Sequence, residues 1–141
     1  MSRKAPPRKI TLRFVSPTAF RSGGYNVLFP HPRLVWHSAN RAWSAVSRVD
    51  LGDNLHVLAE EGVHPSRFSL STHILHFDRS RQVGVVGRCE YMLSAENEDL
   101  RRALHLLARF CEFSGLGMKT TMGMGQVRFG KARRDADANV A

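Results

Sequence analysis

The order in which two hydrophobic periodicities follow one another constrains the fold of this chain most strongly. Residues 9–15 alternate apolar and polar side chains with a period of two, which predicts a strand with one apolar face. Residues 32–46 repeat apolar side chains at intervals of three and four, which predicts a helix that begins at a proline. The chain therefore begins with a strand and a helix, each of which has one face to bury.

The second half of the chain contains two further strands, a helix and a last short strand. Residues 68–77 and 82–93 are rich in β-formers, and Asp78-Arg79-Ser80-Arg81 between them predicts a hairpin turn. Ser94 is the predicted N-cap of the second helix, because acidic residues occupy the turn that follows it. Residues 126–129 form the last predicted strand, so the order is β-α-β-β-α-β.

This order predicts an α+β chain with one ferredoxin-like (RRM-like) domain over residues 9–130. Its four-stranded antiparallel sheet carries both helices on one face and leaves the other face free for a ligand, as in RNA-recognition modules. Residues 1–8 and 131–141 are polar and are predicted to be flexible tails. Residues 16–18 are expected to end the first strand, and a glycine-bearing loop is expected to follow them. Residues 55–59 are expected to form a short strand or a turn.

The charge and the cysteines restrict the partners and the cell compartment. The formal net charge of +9 favours an anionic partner, which is RNA, DNA or an anionic membrane. No segment resembles a membrane span or a signal peptide, so we expect a cytoplasmic protein with no membrane partner. Cys89 and Cys111 lie outside any CxxC pair, which predicts buried reduced thiols, no metal and no cofactor.

The glycine-rich segment between the second helix and the last strand is the most informative motif. Two Gly-x-Gly pairs flank a lysine and two threonines, and glycines allow successive main-chain N–H groups to converge on a phosphate. The spacing matches neither a Walker loop nor a dinucleotide fingerprint, and a helix cap followed by a turn is the structural alternative. The predicted RNA-binding residues here are Gly115, Gly117, Lys119, Thr120, Thr121, Gly123 and Gly125.

These residues also carry a resemblance to a known family. Residues 115–126, preceded by Leu107-Ala108-Arg109-Phe110, resemble the C-terminal signature of the CRISPR-associated repeat-RNA endoribonucleases, the sixth Cas family of the RAMP superfamily. Residues 16–21, followed by a tryptophan-bearing helix, and residues 85–89 are similar to the same family. The likeness covers about residues 9–130.

The resemblance implies an RNA-cleaving activity and a division of functions between two domains. Family members usually carry two ferredoxin-like domains and cut repeat RNA without metal, by attack of a 2′-hydroxyl on the adjacent phosphate. The histidine that acts as general base commonly lies in the N-terminal domain. Because this chain matches the C-terminal domain, we expect the RNA-binding part of a pre-crRNA endoribonuclease without its N-terminal domain. The implied partners are CRISPR repeat RNA and a separate N-terminal domain or CRISPR effector subunits.

Two other functions stay open, together with the identity of a catalytic residue. The chain could be a complete metal-independent endoribonuclease that uses His31 or His37, or a structural subunit of a CRISPR ribonucleoprotein. A general base needs a pKa near the working pH, and no carboxylate is evident to orient either ring, so both histidines are better explained as surface or packing residues. Arg21, Arg88 and Arg128 are the arginines predicted to lie on the RNA side.

Overall fold

The computed structural model describes residues 5–130, and the predicted tail segments 1–4 and 131–141 lie outside the described residues. Residues 5–8 form neither helix nor strand, but the Arg8 carbonyl accepts a hydrogen bond from the Leu93 amide at 2.7 Å. The strands are β1 (Lys9–Thr18), β2 (Phe20–Ser22), β3 (Tyr25–Val27), β4 (Val63–Phe77), β5 (Ser80–Leu93) and β6 (Val127–Phe129). The helices are α1 (Pro32–Val46), α2 (Leu55–Gly62) and α3 (Glu98–Ser114), and a short 3₁₀ helix spans Thr120–Met122.

Four strands form one antiparallel sheet in the order β4-β5-β1-β6, and β2 and β3 form a separate hairpin. The register of the sheet places Leu12 of β1 beside Cys89 of β5 and beside Phe129 of β6. The first and last strands of the main sheet are thus neighbours, although most of the chain separates them. The predicted ferredoxin-like α+β fold with a four-stranded antiparallel sheet is confirmed.

The hydrophobic core lies between one face of this sheet and the helices α1 and α3. Trp36 is fully buried, its indole N–H donates to the Leu104 carbonyl at 3.0 Å, and its ring meets that of Tyr91 edge-on at 5.2 Å. The Tyr91 hydroxyl donates to the Pro30 carbonyl at 2.7 Å, so both large polar groups of the core are satisfied. The buried strand residues of this core are Ile10, Leu12, Phe14, Phe20, Val63, Cys89, Tyr91, Leu93 and Val127.

The two cysteines behave as the sequence predicts. Cys89 and Cys111 are both free thiols, and both are buried in this core. Burial raises the pKa of Cys89 to about 11 and that of Cys111 to about 12. Neither thiol is a nucleophile near neutral pH, because the thiolate is the reactive form.

Two helix assignments made from sequence are wrong. Residues 55–59 belong to the helix α2 rather than to a strand or turn, because Leu55 and Ala59 lie one helical turn apart and are both buried. The N-cap of α3 is Asn97 rather than Ser94, and the Asn97 side chain accepts a hydrogen bond from the Leu100 amide at 3.1 Å. Ser94 instead donates its main-chain N–H to the Gly62 carbonyl at 2.9 Å.

The turns also differ from the expectations. The segment after β1 contains the hairpin β2–β3, whose turn is formed by Gly23 and Gly24 with φ of 58° and 83°. Strand β1 continues through residues 16–18 instead of ending there. Phe77 pairs with Ser80, so the turn between β4 and β5 contains only Asp78 and Arg79.

Candidate nucleic-acid interface

The glycine-rich loop that follows α3 folds back onto α1 and the end of β1. The Gly117 amide donates to Ser38 Oγ at 2.9 Å, and the Met118 amide donates to the Ala19 carbonyl at 2.9 Å. Gly117 has a φ of 79°, and a Cβ at this position would overlap the Ala19 carbonyl oxygen. Glycine is therefore required here so that the loop can approach α1 and β1 closely.

Most main-chain amides of this loop donate to acceptors inside the protein. The Leu116 amide donates to the Gly125 carbonyl at 2.9 Å, and the Gly125 amide donates to the Pro17 carbonyl at 3.0 Å. These groups cannot face a phosphate, so a cradle built from the whole glycine segment is ruled out. Within residues 5–130, the loop amides without an internal acceptor are those of Lys119, Thr120 and Thr121.

Lys119 adopts an unusual backbone conformation at the exposed tip of the loop. Its φ of 57° and ψ of 37° lie in the left-handed region, and it is the one non-glycine residue with positive φ in the part of the chain that the structure describes. This conformation costs a non-glycine residue about 1 kcal/mol or more. Lys119, Thr120 and Thr121 are all exposed, so a cation, two hydroxyls and three amides are available to a ligand.

An open groove of about 490 Å³ lies beside this loop, between α1 and the start of the β2–β3 hairpin. Arg21 and Arg41 supply its positive charge, and no Asp or Glu among residues 5–130 lines it. The Arg21 guanidinium donates to Asn26 Oδ1 at 3.0 Å, which holds its side chain against the hairpin. The groove residues important here are Arg21, His37, Ser38, Arg41, Gly115, Gly117 and Thr120.

The two candidate histidines have different surroundings. Both histidines are exposed, but His37 lines the groove, whereas His31 precedes the first residue of α1 and does not line the groove. The pKa of His37 is lowered, first because the ring is partly desolvated and then because His56, Arg41 and Arg33 disfavour a further positive charge. The ring centroids of His37 and His56 are 4.8 Å apart. His37 therefore stays neutral, and able to accept a proton, to a lower pH than a free histidine.

A second cationic surface lies on the face of the sheet opposite the helices. Arg13 of β1 pairs in register with Arg88 of β5 on one side and with Arg128 of β6 on the other. We call these three residues the arginine row. Adjacent strands are about 4.8 Å apart, so three guanidinium side chains project side by side from one face. Arg13 Nε is buried without a hydrogen-bond partner, which leaves a donor unsatisfied in this row.

The chemistry around the arginine row suits phosphates better than bases. Glu90 lies on the same face, but its carboxylate is paired with Lys9 Nζ at 3.3 Å and does not neutralise the row. No aromatic side chain stands on this face of β1, β5 or β6, so stacking of bases is not provided. Guanidinium groups without stacking partners favour contacts to the RNA backbone.

The predicted site residues thus divide between two surfaces. Gly115, Gly117, Thr120 and Arg21 line the groove, whereas Arg88 and Arg128 belong to the sheet face. The other predicted residues of the glycine segment, Lys119, Thr121, Gly123 and Gly125, do not line the groove. Arg13 was not among the residues predicted from sequence to bind RNA. It alternates with the apolar residues Ile10, Leu12 and Phe14 of the same strand, and this alternation alone places it on the opposite face. Among residues 5–130, no three His, Cys, Asp or Glu side chains cluster as a metal site would require, and no helix there is long and apolar enough to cross a membrane.

Comparison with known proteins identifies one family. The family model described as CRISPR-associated endoribonuclease Cas6 matches residues 12–127. A CRISPR-associated endoribonuclease Cas6 of Mycobacterium tuberculosis is 32% identical over 123 residues, which are 86% of this chain and 38% of the relative. A protein of the same description from Streptococcus thermophilus is 30% identical over 125 residues, which are 86% of this chain and 50% of the relative.

Solved structures agree with the sequence relatives. A Cas6 product complex superimposes with a TM-score of 0.81 at 31% identity and covers 92% of this chain and 54% of that chain. Thermus thermophilus Cas6 also superimposes with a TM-score of 0.81, at 27% identity, and covers 89% of this chain and 54% of that one. The chain thus spans about half the length of these structures, and between about a third and a half of the curated relatives.

Proposed function

Because this chain belongs to the CRISPR-associated endoribonuclease Cas6 family, we propose that residues 9–130 act as the RNA-binding C-terminal domain of a CRISPR repeat-processing endoribonuclease. The observation that carries this proposal is the groove beside the glycine-rich loop. Arg21 and Arg41 line this groove, and no carboxylate of residues 5–130 does. Its partners are CRISPR repeat RNA and the domain that accounts for the rest of the relatives' length.

The two cationic surfaces take different parts in this binding. At the loop, Lys119 supplies a charge, and the free amides of Lys119, Thr120 and Thr121 supply donors for phosphate oxygens. The arginine row adds contacts to the RNA backbone that carry no sequence information.

Lys119 provides the direct test of RNA binding at the loop. We expect Lys119→Ala to weaken binding of CRISPR repeat RNA about tenfold, because a charge-assisted hydrogen bond contributes about 1.5–3 kcal/mol. Lys119→Arg should retain most of the affinity. Fluorescence anisotropy with labelled repeat RNA at fixed salt measures the effect.

Arg102→Ala is the matched control for this experiment. Arg102 is an exposed cation on α3 that already pairs with Glu98 and Asp99 at 3.0 and 3.6 Å. We expect its loss to leave RNA affinity within twofold of the wild type. Equal affinities for Lys119→Ala and the wild type would rule out the loop as a phosphate contact.

A second candidate function is RNA cleavage by this chain, and the place of His37 in the groove favours it. A neutral His37 can accept the proton of a 2′-hydroxyl, whose oxygen then attacks the adjacent phosphorus. The bond from phosphorus to the 5′-oxygen breaks, and the leaving oxygen takes a proton from solvent. The products are a 2′,3′-cyclic phosphate and a 5′-hydroxyl, and Arg21 and Arg41 can stabilise the charge of the transition state.

Incubation of the purified chain with repeat RNA and EDTA tests this second function. If His37 is the base, His37→Ala abolishes the 2′,3′-cyclic product, whereas His31→Ala retains it, because His31 lies outside the groove. Absence of the cyclic product with the wild-type chain removes the cleavage candidate and leaves the binding proposal intact.

A further inference from the structure

A second cavity lies at the edge of the sheet, at the end of β1 that is far from the glycine-rich loop. It has a volume of about 260 Å³, and its lining comes from the start of β1, the end of β6 and the helix α3. The Gly130 amide donates to the Thr11 carbonyl at 2.8 Å, which fixes the end of β6 beside β1. We call this cavity the edge pocket, and the side chains important to it are Lys9, Thr11, His105, Arg109 and Phe129.

The edge pocket contains an arginine that lies on an aromatic ring. The guanidinium carbon of Arg109 is 4.9 Å from the centroid of the Phe129 ring, and Phe129 packs against the hydrophobic core. Arg109 is exposed, so the guanidinium face turned away from Phe129 is accessible. Nucleobases stack on guanidinium planes, and the ring beneath this one fixes its orientation.

The charges of the edge pocket favour an anionic ligand. Lys9 and Arg109 line it, and no Asp or Glu of residues 5–130 does. Glu90 pairs with Lys9 Nζ at 3.3 Å without lining the pocket, so Lys9 is partly neutralised and Arg109 is the main source of charge. Burial lowers the pKa of His105, which is therefore neutral near pH 7.

The edge pocket continues the arginine row along β1. Lys9, Thr11 and Arg13 alternate with the core residues of this strand, so their side chains share the face that the helices leave free. Thr11 is two residues from Arg13, which corresponds to about 7 Å along a strand. An RNA backbone bound to the row therefore passes directly beside the pocket. The row has no surface on which a base can stack, whereas the pocket provides one.

We propose that the edge pocket binds one unpaired base of an RNA strand whose backbone lies on the arginine row. The base stacks on the guanidinium of Arg109, and the sugar and phosphate stay outside, toward Arg13. The volume favours a base within a strand over a free nucleotide, because sites that enclose whole small molecules usually measure about 300–1,000 Å³. This inference rests on the proposed RNA-binding function and adds a single-stranded segment to its ligand.

Abasic RNA tests whether a base enters the edge pocket. Each position of the repeat RNA is replaced in turn by a nucleotide that lacks its base, and binding is measured by fluorescence anisotropy at fixed salt. We expect one unpaired position at which the wild-type chain binds about tenfold more weakly, which is the size of effect expected when one stacked base is lost.

Arg109→Lys shows whether that base lies in the edge pocket. This variant keeps the charge but lacks the guanidinium plane, so it should bind intact RNA about tenfold more weakly and lose nothing further at the abasic position. Arg102→Lys is the matched control, because Arg102 lies on the same helix and pairs with Glu98 and Asp99 outside the pocket. It should keep the full abasic effect, and circular dichroism verifies that both variants fold.

Calorimetric titration with nucleoside monophosphates separates a base within RNA from a free nucleotide. We expect no binding of these compounds at millimolar concentration to the chain without RNA. Binding that Arg109→Lys abolishes would overturn the proposal, because the pocket would then be a site for free nucleotides.

A second outcome would also overturn the proposal. If the wild-type chain and Arg109→Lys lose the same affinity at every abasic position, no base enters the edge pocket, and an acidic protein segment becomes the better candidate ligand. Intact repeat RNA that still binds the wild-type chain and loses affinity with Lys119→Ala would preserve the RNA-binding function in that case. A wild-type chain that binds no repeat RNA would reject both.

Discussion

Single residues of the glycine-rich loop serve two separate purposes. Gly117 gives the loop its close contact with β1, because a Cβ there would overlap the Ala19 carbonyl oxygen. Gly123 has a φ of 95° but faces open space, so only its backbone conformation requires glycine. Lys119 offers charge from a left-handed conformation that lysine seldom adopts. Packing therefore explains glycines that the sequence suggested were phosphate contacts.

Alanine substitutions at these two glycines should have unequal costs. Gly123→Ala should lower the free energy of unfolding by about 1 kcal/mol, through backbone strain alone. Gly117→Ala should lower it by about 3 kcal/mol, because strain adds to the overlap with a main-chain carbonyl that cannot move aside easily. Urea unfolding followed by circular dichroism compares the variants. Equal losses would show that the contact with Ala19 is not needed.

At the scale of elements, strand pairing assembles the cationic surface of the sheet. Arg13, Arg88 and Arg128 are far apart in sequence, and only the register of β5, β1 and β6 aligns them. Each strand contributes one arginine to the face that the helices leave free. The arginine row is thus a property of three elements together, and none of them carries it alone.

The central arginine of the row should affect binding through the RNA backbone. We expect Arg13→Gln to weaken binding of repeat RNA and of an unrelated RNA equally, and to lower the slope of log affinity against log salt by about one. Arg13→Lys retains the charge and should retain the slope. Salt titrations with both RNAs measure this, and a loss confined to repeat RNA would contradict a role in backbone contact alone.

At the scale of the whole molecule, two histidines link stability to pH. The pKa of His105 is lowered mainly by burial, and Arg109 and Arg101 lower it further, whereas its hydrogen bond to the Pro7 carbonyl at 2.7 Å acts in the opposite direction. The pKa of His37 is also lowered by burial. Both rings are therefore neutral in the folded state over a pH range in which the unfolded chain binds protons.

This difference predicts that acidification destabilises the protein. Well above pH 6.5, the ordinary pKa, both states hold these rings neutral and stability is insensitive to them. Below it the unfolded state takes up protons before the folded state does, so the free energy of unfolding falls as pH falls. His105→Gln, which can still donate to Pro7, should reduce this fall in urea unfolding compared at neutral pH and at about pH 5. An unchanged pH dependence would exclude His105 as a source.

The sequence by itself determined the order of the main strands and helices, the core face of β1 and the position of the glycine-rich loop. Hydrophobic periodicity is a local property, because it depends only on which neighbours of a residue share its face. Hydrophobic periodicity did not predict the helix α2, because its eight residues are too few to distinguish a helical repeat from the alternation of a strand.

Only the tertiary structure decided which groups of the candidate site are available to a ligand. The Gly117 amide is occupied by Ser38, a residue of α1 far away in sequence, and no local pattern reveals such a partner. The same holds for the pairing of Arg13 with Arg128 and for the position of His37, but not of His31, in the lining of the groove. Hydrogen-bond partners and surface charges depend on which distant segments become neighbours, and folding alone establishes that arrangement.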